Sequence, residues 1–192
     1  ACFLAPFDKR LATRLRYRQA PGDGPLHVEF RLKSEGVDSA ATRMSLNLAF
    51  FGASGVWLKT ICLGQDGEPK DVEKTWVAVD GSARSVYNQA GWAATRLEFP
   101  ASLIPRDTGH SVFFIDVKGG ATGKLWVDDL DLWQNTSSSP ERGQSNGVLN
   151  GRFEQSLSNW SKERGSLVSW SPEDASGRAH SGSVCFIAPF DN

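Results

Sequence analysis

The sequence ends on nearly the same segment with which it begins. ACFLAPFDK occupies residues 1–9 and VCFIAPFDN occupies residues 184–192, and six of the nine aligned positions are identical. Two further positions, Ala1/Val184 and Leu4/Ile187, exchange one apolar residue for another. The two copies lie 183 positions apart, a period that suits one β-sandwich module together with its linker. The chain therefore holds the later part of one module and the opening part of the next.

Short segments with alternating apolar and polar residues recur along the chain, with turn-forming residues between them. This pattern, the abundance of Gly and aromatic residues, and the absence of a long helical periodicity predict an all-β protein. A short helical turn is expected within residues 100–105. The predicted strands cover residues 12–19, 26–33, 42–50, 55–63, 74–79, 94–100, 110–117 and 124–133.

The first two predicted strands are expected to form a hairpin around the turn sequence PGDG at 21–24. In that register Leu15 pairs with Phe30 and Tyr17 pairs with Val28 on the apolar face. Both strands keep their alternation of apolar and polar residues in this register. On the opposite face the same register pairs Arg16 with Glu29. The agreement of the two faces favours the hairpin.

The repeat also predicts how the chain is organised. Residues 1–134 form the later part of one module, the polar, Ser-rich residues 135–145 form a linker, and residues 146–192 open the next module. Read in module order, 146–191 continues into 9–134 without a gap. Either the chain closes on itself as a circular permutant, or its two parts complete neighbouring modules. In both cases residues 1–8 and 184–191 compete for one place in a sheet.

Four motifs carry a resemblance to a known family. NGRFE at 150–154, LSNW at 157–160 and HSGSV at 180–184 resemble the opening of the carbohydrate-binding modules of the family 4/9/16/22 type. KLWVDDLDLW at 124–133 is similar to the closing strand of those modules. In permuted order the resemblance covers nearly the whole chain. It implies a jelly-roll β-sandwich of two antiparallel sheets.

The closing strand contains a candidate metal ligand. Strict alternation places Asp128 on one face with Trp126, Leu130 and Leu132, and a carboxylate on an apolar face needs a partner or a metal. A hydrogen-bonded Asp at a strand bulge is the alternative. The resemblance implies a structural Ca²⁺, which favours hard oxygen ligands. Its implied ligands are Asp128, Glu154 and the backbone near Asn150.

Candidate glycan-binding residues are aromatic side chains that could stack on a sugar ring, with amides beside them. Trp57 alternates with Val56 and Leu58, so it faces the other side of its strand. The alternative for each Trp is a place in the core or over a sheet edge. The candidate set consists of Trp57, Trp76, Tyr87, Asn88, Gln89 and Trp92.

Several other functions find no support in the sequence. A net charge of −1 gives no electrostatic reason for nucleic-acid binding, and no apolar run is long enough to insert into a membrane. The three histidines lack metal-ligand spacing, and no Gly-x-Ser-x-Gly nucleophile motif is present. A non-enzyme is therefore expected. Cys62 could pair with Cys2 or Cys185 in a disulfide, or all three could be small buried apolar residues.

Two functions are compatible with these features. The resemblance implies a non-catalytic carbohydrate-binding module of a secreted or cell-surface protein, with a polysaccharide or glycan as its partner. The alternative is a structural repeat subunit of an extracellular fibre, sheath or surface array. In that case identical neighbouring subunits would assemble by head-to-tail strand exchange, since an unfilled sheet edge accepts a strand.

Overall fold

A computed structural model describes residues 10–14, 24–38, 40–65, 90–134, 148, 150–162 and 167–188. Within these ranges the chain forms ten strands and one short 3₁₀ helix, Ala101–Leu103, where a helical turn was predicted. No helix in the described part of the chain is long and apolar enough to cross a membrane. The strands are β1 Arg10–Arg14, β2 Leu26–Glu35, β3 Arg43–Gly52, β4 Trp57–Gln65, β5 Ala93–Phe99, β6 Thr108–Lys118, β7 Lys124–Gln134, β8 Ser161–Lys162, β9 Val168–Ser171 and β10 Ser183–Ile187.

The strands form two antiparallel sheets of five strands each. Sheet 1 has the order β4-β3-β6-β1-β8, and sheet 2 has the order β5-β2-β7-β10-β9. The chain crosses repeatedly between the sheets, so that strands from both faces enclose one core. The prediction of an all-β sandwich of two antiparallel sheets is confirmed.

The core lies between the sheets because one face of each longer strand is apolar. β3 contributes Met44, Leu46, Leu48 and Phe50, all fully buried, as its alternation predicts. Residues from β2, β6, β7 and β10 join the same cluster from both sheets. Burial of this continuous apolar face is the main stabilising contribution of the fold.

The predicted hairpin between residues 12–19 and 26–33 is wrong for the described residues. β1 lies in sheet 1 between β6 and β8, whereas both edges of β2 pair with β5 and β7 in sheet 2. Ala12 is opposite Phe114, not opposite a residue of β2. Alternation shows which face of a strand is buried, but it does not select the neighbouring strand. Leu15, Arg16 and Tyr17 lie outside the described residues.

The predicted facing of β7 is also wrong beyond Asp128. Glu29 is opposite Asp131, and Arg31 is opposite Asp128. Between these pairs β7 has one residue more than β2, which forms a β-bulge in β7. Asp129 within the bulge has a φ of 47°. The bulge shifts the alternation, and Leu130 and Leu132 face the core. Asp128 instead shares the outer face of sheet 2 with Trp126.

The C-terminal copy of the repeated segment occupies a central place in sheet 2. β10 pairs with β7 on one side and with β9 on the other. β8 and β10 of the module opening therefore pair with β1 and β7 of the same chain. Cys185 on β10 is buried and forms no disulfide, which excludes a Cys62–Cys185 bridge. The N-terminal copy, with Cys2, lies outside the described residues, as does the predicted linker at 135–145.

Candidate functional site

The outer face of sheet 1 presents aromatic and polar side chains in rows that cross its strands. The first row joins Trp57 on β4, Phe51 on β3 and His110 on β6, because Phe51 is the cross-strand partner of both other residues. Three flat rings thus lie side by side over two inter-strand gaps, roughly 10 Å. We call the outward-facing residues of this sheet the sheet 1 face.

The rings of this row differ in exposure and in the contacts that hold them. Phe51 and His110 stack with centroids 5.0 Å apart and an interplanar angle of 8°. The indole of Trp57 is 59% exposed, and its Nε1–H donates a 3.0 Å hydrogen bond to Thr60 Oγ1. That hydrogen bond restrains an exposed ring that could otherwise rotate freely. A restrained, solvent-facing Trp loses little conformational entropy when a ligand covers it.

The next rows of the sheet 1 face combine small apolar residues with polar ones. Ala49 and Val112 follow the aromatic row, and Phe114 lies beyond them. These apolar residues form a cluster separate from the inter-sheet core. An apolar cluster on the outside of a sheet is unusual, because an outward face is normally polar.

Polar groups occupy the last two rows of the face, at the end furthest from Trp57. Asn47 and Asp116 are both buried, and Asn47 Nδ2 donates to Ser45 Oγ at 2.9 Å and to Asp116 Oδ2 at 3.5 Å. The amide and the carboxylate hold each other in fixed positions beside the apolar cluster. Binding sites for small molecules commonly have this composition, with a mostly apolar surface and a few oriented polar groups.

The structure separates the two described residues of the predicted glycan set. Trp57 begins β4 at the end of the sandwich where Gly52 pairs with Thr108. Trp92 is half-buried and precedes β5 in sheet 2, whose first residue, Ala93, lies at the opposite end. The two indoles therefore do not share one surface. Trp76, Tyr87, Asn88 and Gln89 lie outside the described residues.

Sequence reasoning missed most of the sheet 1 face. The segment HSVFFIDV was predicted as a strand, but its outward residues His110, Val112, Phe114 and Asp116 were not singled out. The available signal was that this strand is apolar on both faces. Such a strand is expected in a sheet covered on both sides, and here only one side meets the other sheet.

A second polar cluster forms where the loop between β9 and β10 covers the bulge of β7. Asp128 is fully buried, and its oxygens accept hydrogen bonds from the backbone N–H of Asp129 at 2.6 Å and of Ala175 at 2.9 Å. Arg178 Nη2 donates to Asp129 Oδ1 at 2.5 Å. Arg178 also donates its backbone N–H to Asp174 Oδ2 at 2.6 Å. We call these residues the bulge cluster.

The carboxyl groups of Asp128 and Asp174 face each other in the bulge cluster. The pKa of Asp128 is raised to about 7: burial is the largest cause, the charges of Asp129 and Asp174 also raise it, and the two backbone N–H donors lower it. Burial also raises the pKa of Asp174, but the nearby Ser181 hydroxyl and Arg178 outweigh it and lower that pKa overall. The pair therefore favours one proton, held on Asp128.

The bulge cluster has one feature that a hard cation could use. Asp174 Oδ1 is buried and lacks a hydrogen-bond partner among the described residues. A buried, unpaired carboxylate oxygen beside a second carboxylate suits Ca²⁺, which also accepts backbone carbonyl ligands. No group of three or more His, Cys, Asp and Glu side chains with metal-binding spacing occurs in the described ranges. A cation here would depend on Asp128, Asp174 and carbonyl oxygens.

The other two implied calcium ligands have different surroundings. Asn150 Oδ1 accepts the backbone N–H of Glu154, while its Nδ2 donates to the carbonyls of Ser156 and Ser158. The Asn150 carbonyl accepts from Phe153 N–H and Trp160 Nε1–H. Asn150 thus fixes the turn that follows it. The side chain of Glu154 is exposed.

Comparisons with protein-family models, curated protein sequences and solved structures gave no match for this chain.

Proposed function

We propose that this chain is a non-catalytic, carbohydrate-binding β-sandwich module of a secreted or cell-surface protein, and that the sheet 1 face binds the glycan. The observation that carries the proposal is the row of Trp57, Phe51 and His110 across three adjacent strands. A pyranose ring has one face of C–H groups, which pack against the electron-rich face of an aromatic ring. The row is long enough to contact more than one sugar unit.

The polar groups of the same face suit the hydroxyl groups of a sugar. An amide both donates and accepts hydrogen bonds, and a carboxylate accepts two or more. Asn47 and Asp116 carry such groups at the buried end of the face, beside an apolar cluster and not on an open charged surface. This arrangement favours a neutral, hydroxyl-rich ligand.

The non-catalytic part of the proposal follows from the roles of the polar residues. Asn47 holds Asp116 in a hydrogen bond, and the imidazole of His110 is stacked on Phe51. Hydrolysis of a glycoside by the usual route needs two opposed carboxyl groups across the bond that breaks. Asp116 is the one carboxylate on the described strands of sheet 1, and its side chain is buried.

Calcium enters the proposal as a structural ion of the bulge cluster. When bound, Ca²⁺ would neutralise the carboxylates of Asp128 and Asp174 and join β7 to the loop before β10. Asp128 links the bulge to the covering loop through hydrogen bonds from Asp129 N–H and Ala175 N–H in any case. The bulge cluster lies on sheet 2, so the ion would stabilise the fold without touching the glycan.

Binding to a panel of soluble polysaccharides, measured by affinity gel electrophoresis and calorimetry, tests the function. Trp57→Ala is expected to weaken binding of any retained glycan by at least about tenfold, the loss expected for one stacked ring. Leu167→Ala, a change at another exposed apolar side chain, is the matched control and should leave binding unchanged. Equal binding by both variants, or no retention by any glycan of a broad panel, would refute the proposal.

A further inference from the structure

A three-residue modification motif with an exposed Asn lies at the start of β8. Asn159, Trp160 and Ser161 fit the pattern Asn-x-Ser/Thr, with x other than Pro, that N-linked glycosylation requires. Asn159 and Ser161 are exposed, whereas Trp160 between them is buried. The two side chains that define the motif therefore lie on the surface of the folded chain. We call these three residues the acceptor motif.

The buried Trp attaches the acceptor motif to the core. Trp160 Nε1–H donates a 3.2 Å hydrogen bond to the carbonyl of Asn150, and the indole contacts Phe113 and Phe153 with centroid distances of 6.2 Å and 5.3 Å. Asn159 lies in the turn before β8 and has a φ of 68°. Since Trp160 makes the core contacts of this segment, a glycan on Asn159 would extend into solvent without displacing a core side chain.

The other asparagines of the described ranges do not share these properties. Asn47 is buried, and the side chain of Asn150 fixes its own turn through hydrogen bonds to residues 154, 156 and 158. Neither is followed two positions later by Ser or Thr. Within the described ranges, Asn159 alone combines exposure with the motif. A second motif at 135–137, which begins with Asn135, lies outside the described residues.

We propose that Asn159 is the acceptor of an N-linked glycan. This inference rests on the secreted or cell-surface setting of the proposed function, because the reaction needs an oligosaccharyltransferase and an oligosaccharide on a polyisoprenoid pyrophosphate carrier. The side-chain nitrogen of Asn159 forms a bond to the anomeric carbon of the oligosaccharide. The bond from that carbon to the pyrophosphate oxygen breaks, the carrier pyrophosphate leaves with the bonding electrons, and the amide nitrogen gives one proton to a base of the transferase.

The position of the acceptor motif separates the attached glycan from the aromatic row. β8 and β4 are the opposite edges of sheet 1, four inter-strand gaps apart, which is roughly 20 Å. The attachment point therefore does not cover Trp57. β8 pairs with β1 on one side, and no described strand lies on its other side. A bulky, hydrated group beside this short edge strand would hinder pairing with a strand of another chain.

The proposal is tested on the full chain, expressed in an animal cell line behind a secretion signal. Digestion with peptide N-glycosidase F in heavy-oxygen water removes N-linked glycans and leaves a heavy-oxygen label at each residue that carried one. Peptide mass spectrometry of both the secreted and the cell-retained chain should find this label at residue 159. The same residue should be unlabelled when the enzyme is omitted. Absence of the label at residue 159 from both fractions would overturn the proposal.

Three variants show whether the label depends on the acceptor motif. Ser161→Ala keeps Asn159 but breaks the motif, so the label should be lost, whereas Ser161→Thr should retain it. Lys162→Ala changes the other, equally exposed residue of β8 and is the matched control, which should also retain the label. A label at residue 159 in Ser161→Ala would contradict the assignment. The readout needs no added polysaccharide, so a labelled chain that binds no glycan would refute the proposed function alone.

Discussion

Asp128 should make the stability of this protein fall as the pH rises towards neutrality. Its carboxyl group is fully buried, and its pKa is raised from 3.8 to about 7. A carboxyl group whose pKa is higher in the folded state binds its proton more tightly there. The resulting stabilisation is fully present below the unfolded pKa and is lost as the pH rises through about 7.

The size of this effect follows from the pKa shift. A shift from 3.8 to about 7 is roughly three units, and each unit corresponds to about 1.4 kcal/mol, so the full effect is on the order of 4 kcal/mol. Between about pH 5.5 and about pH 8, the stabilisation decreases only up to about pH 7, where folded Asp128 loses its proton. Over these roughly 1.5 pH units the loss is about 2 kcal/mol.

His27 opposes this dependence. Burial lowers the pKa of His27, against the charge of Glu98, so the folded state disfavours the protonated imidazole. The contribution of His27 to the unfolding free energy is fully present above its unfolded pKa of 6.5 and decreases as the pH falls below that value. The pH profile of the parent alone therefore mixes two opposite slopes. Comparison with Asp128→Asn removes the His27 contribution, because both proteins contain it.

The test measures urea unfolding by Trp fluorescence at the two pH values, with a chelator present. Asparagine resembles protonated Asp128 in shape and charge, so Asp128→Asn should lack the titration. The parent should lose about 2 kcal/mol more than the variant between about pH 5.5 and about pH 8. Asp107→Asn, which removes an exposed carboxylate, is the control and should follow the parent. Equal pH dependence of parent and Asp128→Asn would refute the assigned titration.

The same pair of proteins tests calcium. At about pH 8, adding Ca²⁺ after removal of the chelator should raise the unfolding free energy of the parent and not that of Asp128→Asn. An equal increase in both would place a calcium site away from Asp128. No increase in the parent would refute a calcium site in the bulge cluster, while the proton titration would stand.

Two further predictions concern residues that fix loops. Asn150→Ala should lower the unfolding free energy by about 2–3 kcal/mol in urea titration, because its side chain forms hydrogen bonds with Glu154, Ser156 and Ser158; a loss below about 0.5 kcal/mol would contradict this role. Gly123→Ala should lose at least about 2 kcal/mol more than Gly55→Ala in thermal melting, since a Cβ at Gly123 would lie 2.6 Å from Val37 backbone atoms, whereas Gly55 has a positive φ but open space; equal losses would contradict the clash.

Alternation in the sequence predicted the strands well, because burial of one face is a local property. β2, β3, β6 and β7 all begin and end within a few residues of their predicted bounds. Strand partners were not predictable in this way. The 26–33 segment forms β2, which pairs with β5 and β7 in sheet 2. Its predicted partner contributes β1 to sheet 1 instead. Pairing depends on contacts between distant residues, which no local pattern contains.

The error at Asp128 had a different cause. The sequence VDDLD gives no local sign of which residue will be extra, and the bulge appears only when β7 is matched to β2. Once Asp129 adopts its positive φ, the carboxylate of Asp128 turns towards the loop before β10. Its burial was expected for an apolar face, but it arises from that covering loop. Asp174, which completes the carboxyl pair, lies in an irregular segment without periodicity and was missed for that reason.

The contrast between the two outer faces supports the choice of sheet 1 for ligand binding. On the outer face of sheet 2, cations cover the indoles: Lys33 Nζ lies 5.1 Å from the Trp126 ring and Arg96 lies 5.7 Å from the Trp133 ring. Lys33 is further held by an ion pair with Glu173 at 3.0 Å. A ligand would have to displace these groups before it reached an aromatic surface.

On the sheet 1 face, Trp57 needs no such displacement. Its indole is the most exposed aromatic ring in the described part of the chain, and its neighbours in the row are already stacked. Covering this ring with a sugar removes apolar surface from water without breaking an ion pair, so the gain is not offset by desolvation of a charge. A glycan that bound sheet 2 instead would have to show strong salt dependence and sensitivity to Lys33→Ala. Binding that depends on Trp57 and is insensitive to salt is the result expected for sheet 1.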